Sequence, residues 1–345
     1  MELSNLDYLI LFLAAFFAVA SLTPIFRMVA LRYGVVDSPT QRHKTHIKPI
    51  PYLGGLAIMI GASAITYVAI VGFARNSNNL MLASTLILPA FFLGIVGLID
   101  DLRNLSPWPR FLAQTLAGVF VATLLIITET VGSPTGSSVL DAIITILWIV
   151  GITNSINFFD NVDGGASGTV AIVSLTLFIL ALQGQQFLIA ALAIVLAGST
   201  VGFLVWNKPP ARIYMGDAGA LFLGLLLSSL VVRLDTNPIN RFAAFSVPIL
   251  LLAVPIMDTT IAVFSRIKRK VSPFQGGRDH LSHRLMRQGL TKRSSVISLW
   301  LMTSYFTSMS LMISISPYRW EGALTTFSAL CWVLLFFWFF KKSAT

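Results

Sequence analysis

The sequence predicts an all-α, polytopic integral membrane protein of about eleven transmembrane helices. Three observations carry this expectation. Hydrophobic residues make up 56% of the 345 positions and charged residues only 11%, so apolar runs exceed what a soluble core needs. Eleven stretches approach the ~20 apolar residues required to cross ~30 Å of hydrocarbon, near 7–31, 52–73, 80–99, 110–128, 139–158, 167–183, 187–206, 217–233, 243–264, 295–315 and 321–340. None shows the two-residue alternation of barrel strands, and helices satisfy their own backbone groups in lipid.

Taken in order, the first stretch lacks a basic start, because Glu2 and Asp7 precede or open it; it is also too long for an ordinary signal segment and reads as a retained helix. Of 24 Lys and Arg residues, 20 fall in the segments after spans one, three, five, seven and nine, in the tail or at Arg27; the opposite loops hold Arg75, Arg233, Arg241 and Arg319. The positive-inside rule then puts the N-terminus outside and the C-terminus in the cytoplasm. The chain reads as one domain, 1–345, whose cytoplasmic loops lie at about 32–51, 100–109, 159–166, 207–216 and 265–294. The net charge of +10 is accounted for by topology and anionic lipid headgroups, which argues against a nucleic-acid partner. A lone cysteine, Cys331, excludes an intrachain disulfide framework.

The polar segments all fall on the basic side. After Val36, the first loop combines Asp37, Arg42, Lys44, His46 and Lys48, either an electropositive lip for an anion or a plain topogenic loop. Asp100 and Asp101 stand where span three ends; adjacent carboxylates repel and favour a cation or a shared proton. In NSINFFDNVDGG, residues Asn154, Asn157 and Asn161 with Asp160 and Asp163 recur at helical spacing, a polar face for catalysis or for helix packing. Asp217 follows Gly216 at the start of span eight. A carboxylate there either caps the helix or ligates Mg2+, which takes one or two protein carboxylates and completes its shell with water and phosphate. The long basic loop holds nine Lys or Arg, including the cluster Arg278, Asp279, His280, His283 and Arg284, suited to a diphosphate because guanidinium forks match phosphate oxygens. Asp258, inside span nine, requires a partner or a role.

The ordered set of DD, NxxNxxDxxDG, MGDxG and a His-bearing basic loop, over about residues 37–290, resembles the polyprenyl-phosphate N-acetylhexosamine-1-phosphate transferases of glycosyltransferase 4 type. The resemblance implies transfer of a sugar-1-phosphate from a UDP-sugar to a polyprenyl phosphate such as undecaprenyl phosphate, releasing UMP, with Mg2+ as cofactor and Mn2+ able to substitute. It implies a multi-pass plasma-membrane enzyme with a cytoplasmic site, contacts with membrane lipids, and a possible homodimer. By position, Asp217 with Asp100 resembles the metal ligands, and Asp100 with Asp101 the pair that orients or deprotonates the lipid phosphate. Asp160, Asp163, Asn157, Asn207 and Lys48 would hold the nucleotide and Tyr214 would stack on uracil, while His280, His283, Arg278 and Arg284 would hold the diphosphate or sugar. The chain departs from the frequent DGxDGL and HLHHR patterns at Asn161, Gly165 and Ser282. It also lacks the HHH loop of the phospho-MurNAc-pentapeptide enzymes, which points to the GlcNAc-1-phosphate branch. A transporter or lipid flippase is the alternative, but its charges would line a path and its helices would repeat. A CDP-alcohol phosphotransferase would need DGxxAR, whereas Gly165-Ala166-Ser167-Gly168 follows Asp163-Gly164 here.

Overall fold

The computed structural model describes every residue except 1–2, 38–48, 74–76, 104, 129–134, 236–237, 239, 274–276 and 343–345. The element order is α1 (Asn5–Arg32), β1 (Val36–Asp37), β2 (Ile50–Pro51), α2 (Gly54–Phe73), α3 (Ser77–Arg103), α4 (Pro107–Ile127), α5 (Ser138–Phe159), α6 (Gly165–Gln183), α7 (Phe187–Asn207), α8 (Gly216–Val232), α9 (Arg241–Leu251), α10 (Ala253–Lys268), α11 (Leu281–Arg287), α12 (Lys292–Ile315) and α13 (Tyr318–Lys341). The helical class expected from composition is therefore observed. Among the described residues, nine helices are long and apolar enough to cross a membrane, or ten if the bent pair α9–α10 counts as one span. The shorter α8 corresponds to the eighth apolar run of the sequence.

α8 is the axis of the bundle. Residues 218–231 are buried all round, the signature of a helix enclosed by other helices rather than facing lipid; α2, α3 and α5 pack against it. α1 lies against α7, where a Cβ on Gly198 or Gly202 would stand 2.3 or 2.4 Å from the carbonyl oxygens of Phe12 and Phe16. Only glycine allows this approach, a common way of gaining van der Waals contact where no hydrophobic driving force separates helix from lipid. α6 packs on α7 and α12, and α12 on α9 and α13. Many buried hydroxyls turn back on their own helices, as Thr23 Oγ1 does to the Val19 carbonyl at 2.6 Å and Thr153 Oγ1 to that of Ile149 at 2.7 Å, which satisfies them in the apolar interior. Those of Tyr8, Ser63, Ser174, Ser199, Thr259 and Ser295 are instead buried without a hydrogen-bond partner among the described residues.

Three local features differ from the sequence expectations. The ninth span is not one helix: α9 and α10 meet at Leu252 with a bend of 74°. Pro255 has no N–H to give the Leu251 carbonyl, and its ring crowds that oxygen, so the hydrogen-bond ladder breaks there. α3 runs to Arg103, which keeps Asp100 and Asp101 inside its last turn instead of beyond it. The first loop carries a minimal antiparallel ladder, Val36 opposite Pro51 and Asp37 opposite Ile50. The Pro51 carbonyl then accepts from Tyr214 N–H at 2.8 Å, tying this loop to the segment before α8.

Candidate active site

The carboxylates gather at one end of the bundle, where α3, α5 and α10 end and α4 and α8 begin. Arg110, in the first turns of α4, donates through a single nitrogen, Nη1, to Asp100 Oδ2 at 2.6 Å and to Asp217 Oδ2 at 2.5 Å. Two carboxylates from separate helices are thus drawn to one point, and a positive nitrogen occupies it. The remaining oxygen of each is also held: Asp100 Oδ1 accepts from Leu105 N–H at 2.6 Å, and Asp217 Oδ1 from Asn157 Nδ2 at 2.9 Å. Asp100 is buried, while the Asp217 side chain keeps 26% exposure, so the point is open to a ligand from the Asp217 side. A divalent cation fits this donor set, because hard cations take oxygen ligands and Mg2+ needs only one or two from protein.

Asp101 points elsewhere. Its two oxygens accept from the backbone N–H groups of Asp217 at 2.9 Å and Ala218 at 3.1 Å, so the carboxylate caps α8 where the helix dipole favours negative charge. Gly216 makes the fit possible. Its φ is +68°, and a Cβ there would lie 2.4 Å from Asp101 Oδ2. Gly97 serves the same junction, since a Cβ on it would meet the Asp217 carbonyl at 2.4 Å. The two members of the DD pair therefore have different surroundings: Asp100 faces the cationic point and Asp101 fixes the helix that carries Asp217.

Beyond this junction lies the α5–α6 turn. Asp163 is buried and accepts from Ala211 N–H at 2.9 Å, Tyr214 Oη at 3.4 Å and Lys292 Nζ at 3.2 Å. Burial, with Asp163 adding, pushes the Tyr214 phenol well above its ordinary range. Asp160 accepts no side-chain hydrogen bond among the described residues, and its carboxyl is pushed up to about 7 by burial first, then by the charges of Asp217 and Asp163. Asn207 takes a position that excludes the expected direct contact with nucleotide. It is 1% exposed, accepts from Gly164 N–H at 3.0 Å and Ser167 Oγ at 2.9 Å, and donates to the Ile213 carbonyl at 3.0 Å. Its amide holds the α5–α6 turn to the segment before α8. Lys48 lies outside the described residues.

The third cluster is built on α10 and α11. Asp258, fully buried, finds the partner its position demands: Oδ2 pairs with His280 Nδ1 at 2.7 Å and Oδ1 accepts from Leu281 N–H at 2.6 Å. Arg266 Nη2 approaches His280 Nε2 at 3.1 Å; since guanidinium can only donate, Nε2 accepts and Nδ1 carries the proton given to Asp258. Asp279 is clamped by Arg266 at 3.3 Å and Arg269 at 2.7 Å. His283 stands beside His280 with ring centroids 6.5 Å apart, its pKa held down to about 4 by burial first, with the charge of Arg278 adding, so its ring is neutral near pH 7. Arg278 is exposed. Arg284 does not reach the site, contrary to expectation. It is 0% exposed, and its nitrogens donate to the Asp279 carbonyl at 2.8 Å, the Phe339 carbonyl at 2.8 Å and Ser265 Oγ at 2.7 Å, anchoring α11 to α10 and α13.

Two departures from the family pattern touch each other, since Ser282 Oγ donates to Asn161 Oδ1. The larger residue in the α5–α6 turn stands against the smaller one in α11, and Asn161 also reaches Asp258 at 3.5 Å. Arg110 and Lys292 were missed by sequence reasoning. The signal for Arg110 was a cation placed just inside an apolar run after a DD pair; Lys292 offered none within its basic loop.

With this geometry in view, comparison with known proteins is specific. The sequence profile described as "Glycosyl transferase family 4" matches residues 83–235. A probable undecaprenyl-phosphate N-acetylglucosaminyl 1-phosphate transferase of Bacillus subtilis is 35% identical over 88% of this chain and 84% of its own. A decaprenyl-phosphate N-acetylglucosaminephosphotransferase of Mycolicibacterium smegmatis is 30% identical over 80% and 74%. A phospho-N-acetylmuramoyl-pentapeptide-transferase of Streptococcus uberis is more distant, at 24% over 77% and 83%. The chain belongs to glycosyl transferase family 4, on the side of the GlcNAc-1-phosphate enzymes.

Proposed function

We propose that the protein transfers GlcNAc-1-phosphate from UDP-GlcNAc to a polyprenyl phosphate, undecaprenyl phosphate in the first instance, at the cytoplasmic face of a plasma membrane. The products are polyprenyl-diphospho-GlcNAc and UMP, the first membrane step of an envelope glycan. The observation that carries this reading is the convergence of Asp100 and Asp217 on one cationic point at the level where a lipid phosphate and a soluble nucleotide can meet. The relatives' names support the sugar and the lipid, and none of those named above is a transporter.

In this reading a polyprenyl phosphate oxygen attacks the sugar-bearing phosphorus in line, one P–O bond forms, and the bond to UMP breaks with the electron pair leaving on UMP. Asp217 and Asp100 would hold Mg2+ or Mn2+, which when bound supplies charge neutralisation on the diphosphate. Asp100 orients the attacking phosphate and takes its proton if one is present. Asp101 and Asn157 keep Asp217 in place, and Arg110 adds positive charge beside the lipid phosphate. Asp160, Asp163 and Tyr214 would hold the nucleotide, joined by Lys48 as the resemblance implies; His280, His283 and Arg278 would hold the diphosphate and sugar. Asn207 and Arg284 act only by shaping the loops that carry these groups. The apolar groove between α3 and α4, lined by Leu88, Phe92, Leu116 and Phe120, would continue along the prenyl chain.

The test is extraction of lipid product from purified full-length protein in detergent, given labelled UDP-GlcNAc and undecaprenyl phosphate. Label in the lipid phase that is lost on chelation and restored by Mg2+ or Mn2+ is the expected result. Lipid labelling indifferent to chelation would overturn the metal assignment, and none with any donor would overturn the reaction.

A further inference from the structure

The end of the bundle opposite the carboxylates carries a second polar feature. Arg233 follows α8 at its C-terminus; 17 residues of helix, at ~1.5 Å each, put it ~25 Å from the Asp217 end. It is 8% exposed, and its Nε and Nη1 atoms are buried with no hydrogen-bond partner among the described residues. A guanidinium left in this state is expensive, because desolvated charge is tolerated only when paired. A cation suits a helix C-terminus, but that attraction leaves the N–H groups unsatisfied. The backbone around it is fixed, since Gln186 Nε2 donates to the Arg233 carbonyl at 2.9 Å and Gln186 Oε1 accepts from Asp235 N–H at 2.7 Å. The side chain therefore leaves a fixed point of the backbone, and its burial keeps it inside the bundle.

It is presented to a cavity of about 280 Å3 lined by Arg233, Asn79 and Gln186 together with apolar residues such as Ile70, Leu192 and Ala191. Helix ends of α1, α2, α3 and α7 frame this space, which sets it at the level of headgroups. Taking ~30 Å3 for each water-sized oxygen, the four oxygens of a phosphate need about 120 Å3, less than half of the space. The chemistry that matches is an anion with forked acceptors on an apolar body: guanidinium pairs bidentately with phosphate, and the apolar walls receive chain carbons. A soluble anion has no use for those walls.

We propose that this cavity is a binding site for the phosphate headgroup of a lipid, with Arg233 as its anion-binding residue and Asn79 and Gln186 at its polar rim. The proposal is independent of the transfer reading, because its readout is binding at the far end of the bundle. The occupant's chemistry is a lipid phosphate, either the diester of an anionic phospholipid or the monoester of a polyprenyl phosphate.

The test is native mass spectrometry of the full chain in detergent, titrated separately with phosphatidylglycerol, undecaprenyl phosphate, phosphatidylcholine and inorganic phosphate. The wild type is expected to retain one more lipid than Arg233→Gln, or to bind it at least tenfold more tightly, with a smaller difference for phosphatidylcholine, whose choline offsets the charge of its phosphate. Retention in the phosphatidylglycerol arm identifies a phospholipid source and retention in the undecaprenyl phosphate arm a prenyl one; either supports the site. Ala191→Phe, which fills the cavity and leaves the charge in place, is expected to remove the same adduct. A cooperative thermal unfolding transition and a single gel-filtration peak matching the wild type serve as the check that both variants fold, whether or not UMP is released. Identical lipid retention in wild type and Arg233→Gln, or an Arg233-dependent adduct with inorganic phosphate alone, overturns the proposal.

Discussion

Asp101 distinguishes a residue that performs chemistry from one that positions it. In Asp101→Asn the side chain keeps its shape but one acceptor oxygen becomes a donor, which cannot receive the N–H of Asp217 or Ala218 now bound at 2.9 and 3.1 Å. Losing one charge-assisted bond to a backbone donor costs about 1.5–3 kcal/mol, and losing an N-cap about 1 kcal/mol, so a destabilisation of about 2 kcal/mol is expected. That corresponds to a fall of several degrees in melting temperature. If Asp217 then shifts by a fraction of an ångström, turnover falls by roughly 10- to 100-fold, since ~1 Å of misplacement costs about 100-fold. Gly216→Ala tests the same junction without touching a carboxylate: its Cβ would press on Asp101 Oδ2 at 2.4 Å, and its φ of +68° is unfavourable for alanine, by roughly 1–2 kcal/mol. Both variants are expected to lose stability and turnover together, read by thermal unfolding in detergent and by UMP release. Asp101→Asn with an unchanged melting temperature and a loss above ~10,000-fold would refute the positioning role and give Asp101 a direct part in the chemistry.

Arg110→Ala removes the cation shared by Asp100 and Asp217; its melting temperature is expected to fall in chelator and to recover substantially in Mg2+, whereas an equal fall in both would dissociate Arg110 from the metal site. Ser282→His places a larger ring at a fully buried position against Asn161, so it should destabilise by about 1–3 kcal/mol, and Asn161→Gly in the same chain should restore much of that loss; additive effects by thermal unfolding would deny the coupling. Asp160, with a carboxyl raised to about 7 from 3.8, is stabilising as the acid and loses that stability as pH rises through the folded value, so Asp160→Asn should gain on the wild type between pH 4 and 7 by about 4 kcal/mol at most. His283, lowered from 6.5 to about 4, acts oppositely: stability present above pH 6.5 is lost as pH falls toward 4, and His283→Gln should gain on the wild type over that interval by about 3 kcal/mol. Flat variant-minus-wild-type profiles would contradict both assignments.

The helical class and the site's motifs were legible because both are local. Apolar length marks a span, and acidic residues at span ends mark a site. Long-range pairing was not legible: Arg110 meets Asp217 across 107 positions, and no periodicity shows that the first turns of α4 and α8 share a corner. The same reason explains Asn207 and Arg284, whose polar side chains in a polar loop read as ligand-facing until burial showed them bonded to the fold itself. The DD pair looked like two equivalent carboxylates, but successive residues on a helix diverge by ~100°, which sends Asp100 to Arg110 and Asp101 to the start of α8. Pro255 was visible as a residue, while its effect was hidden because transmembrane helices often tolerate proline. Asn161 and Ser282, two departures from the family pattern 121 positions apart, meet in space, which the sequence alone did not reveal.

The most direct measurement mixes purified protein, Mg2+ and undecaprenyl phosphate with UDP-GlcNAc, UDP-GalNAc or UDP-MurNAc-pentapeptide in detergent, where no ion gradient exists, and reads UMP beside an Asp217→Asn control. The account predicts lipid-dependent UMP from UDP-GlcNAc that vanishes in the control. UMP that persists in Asp217→Asn, or its absence with every donor from folded protein, would contradict it.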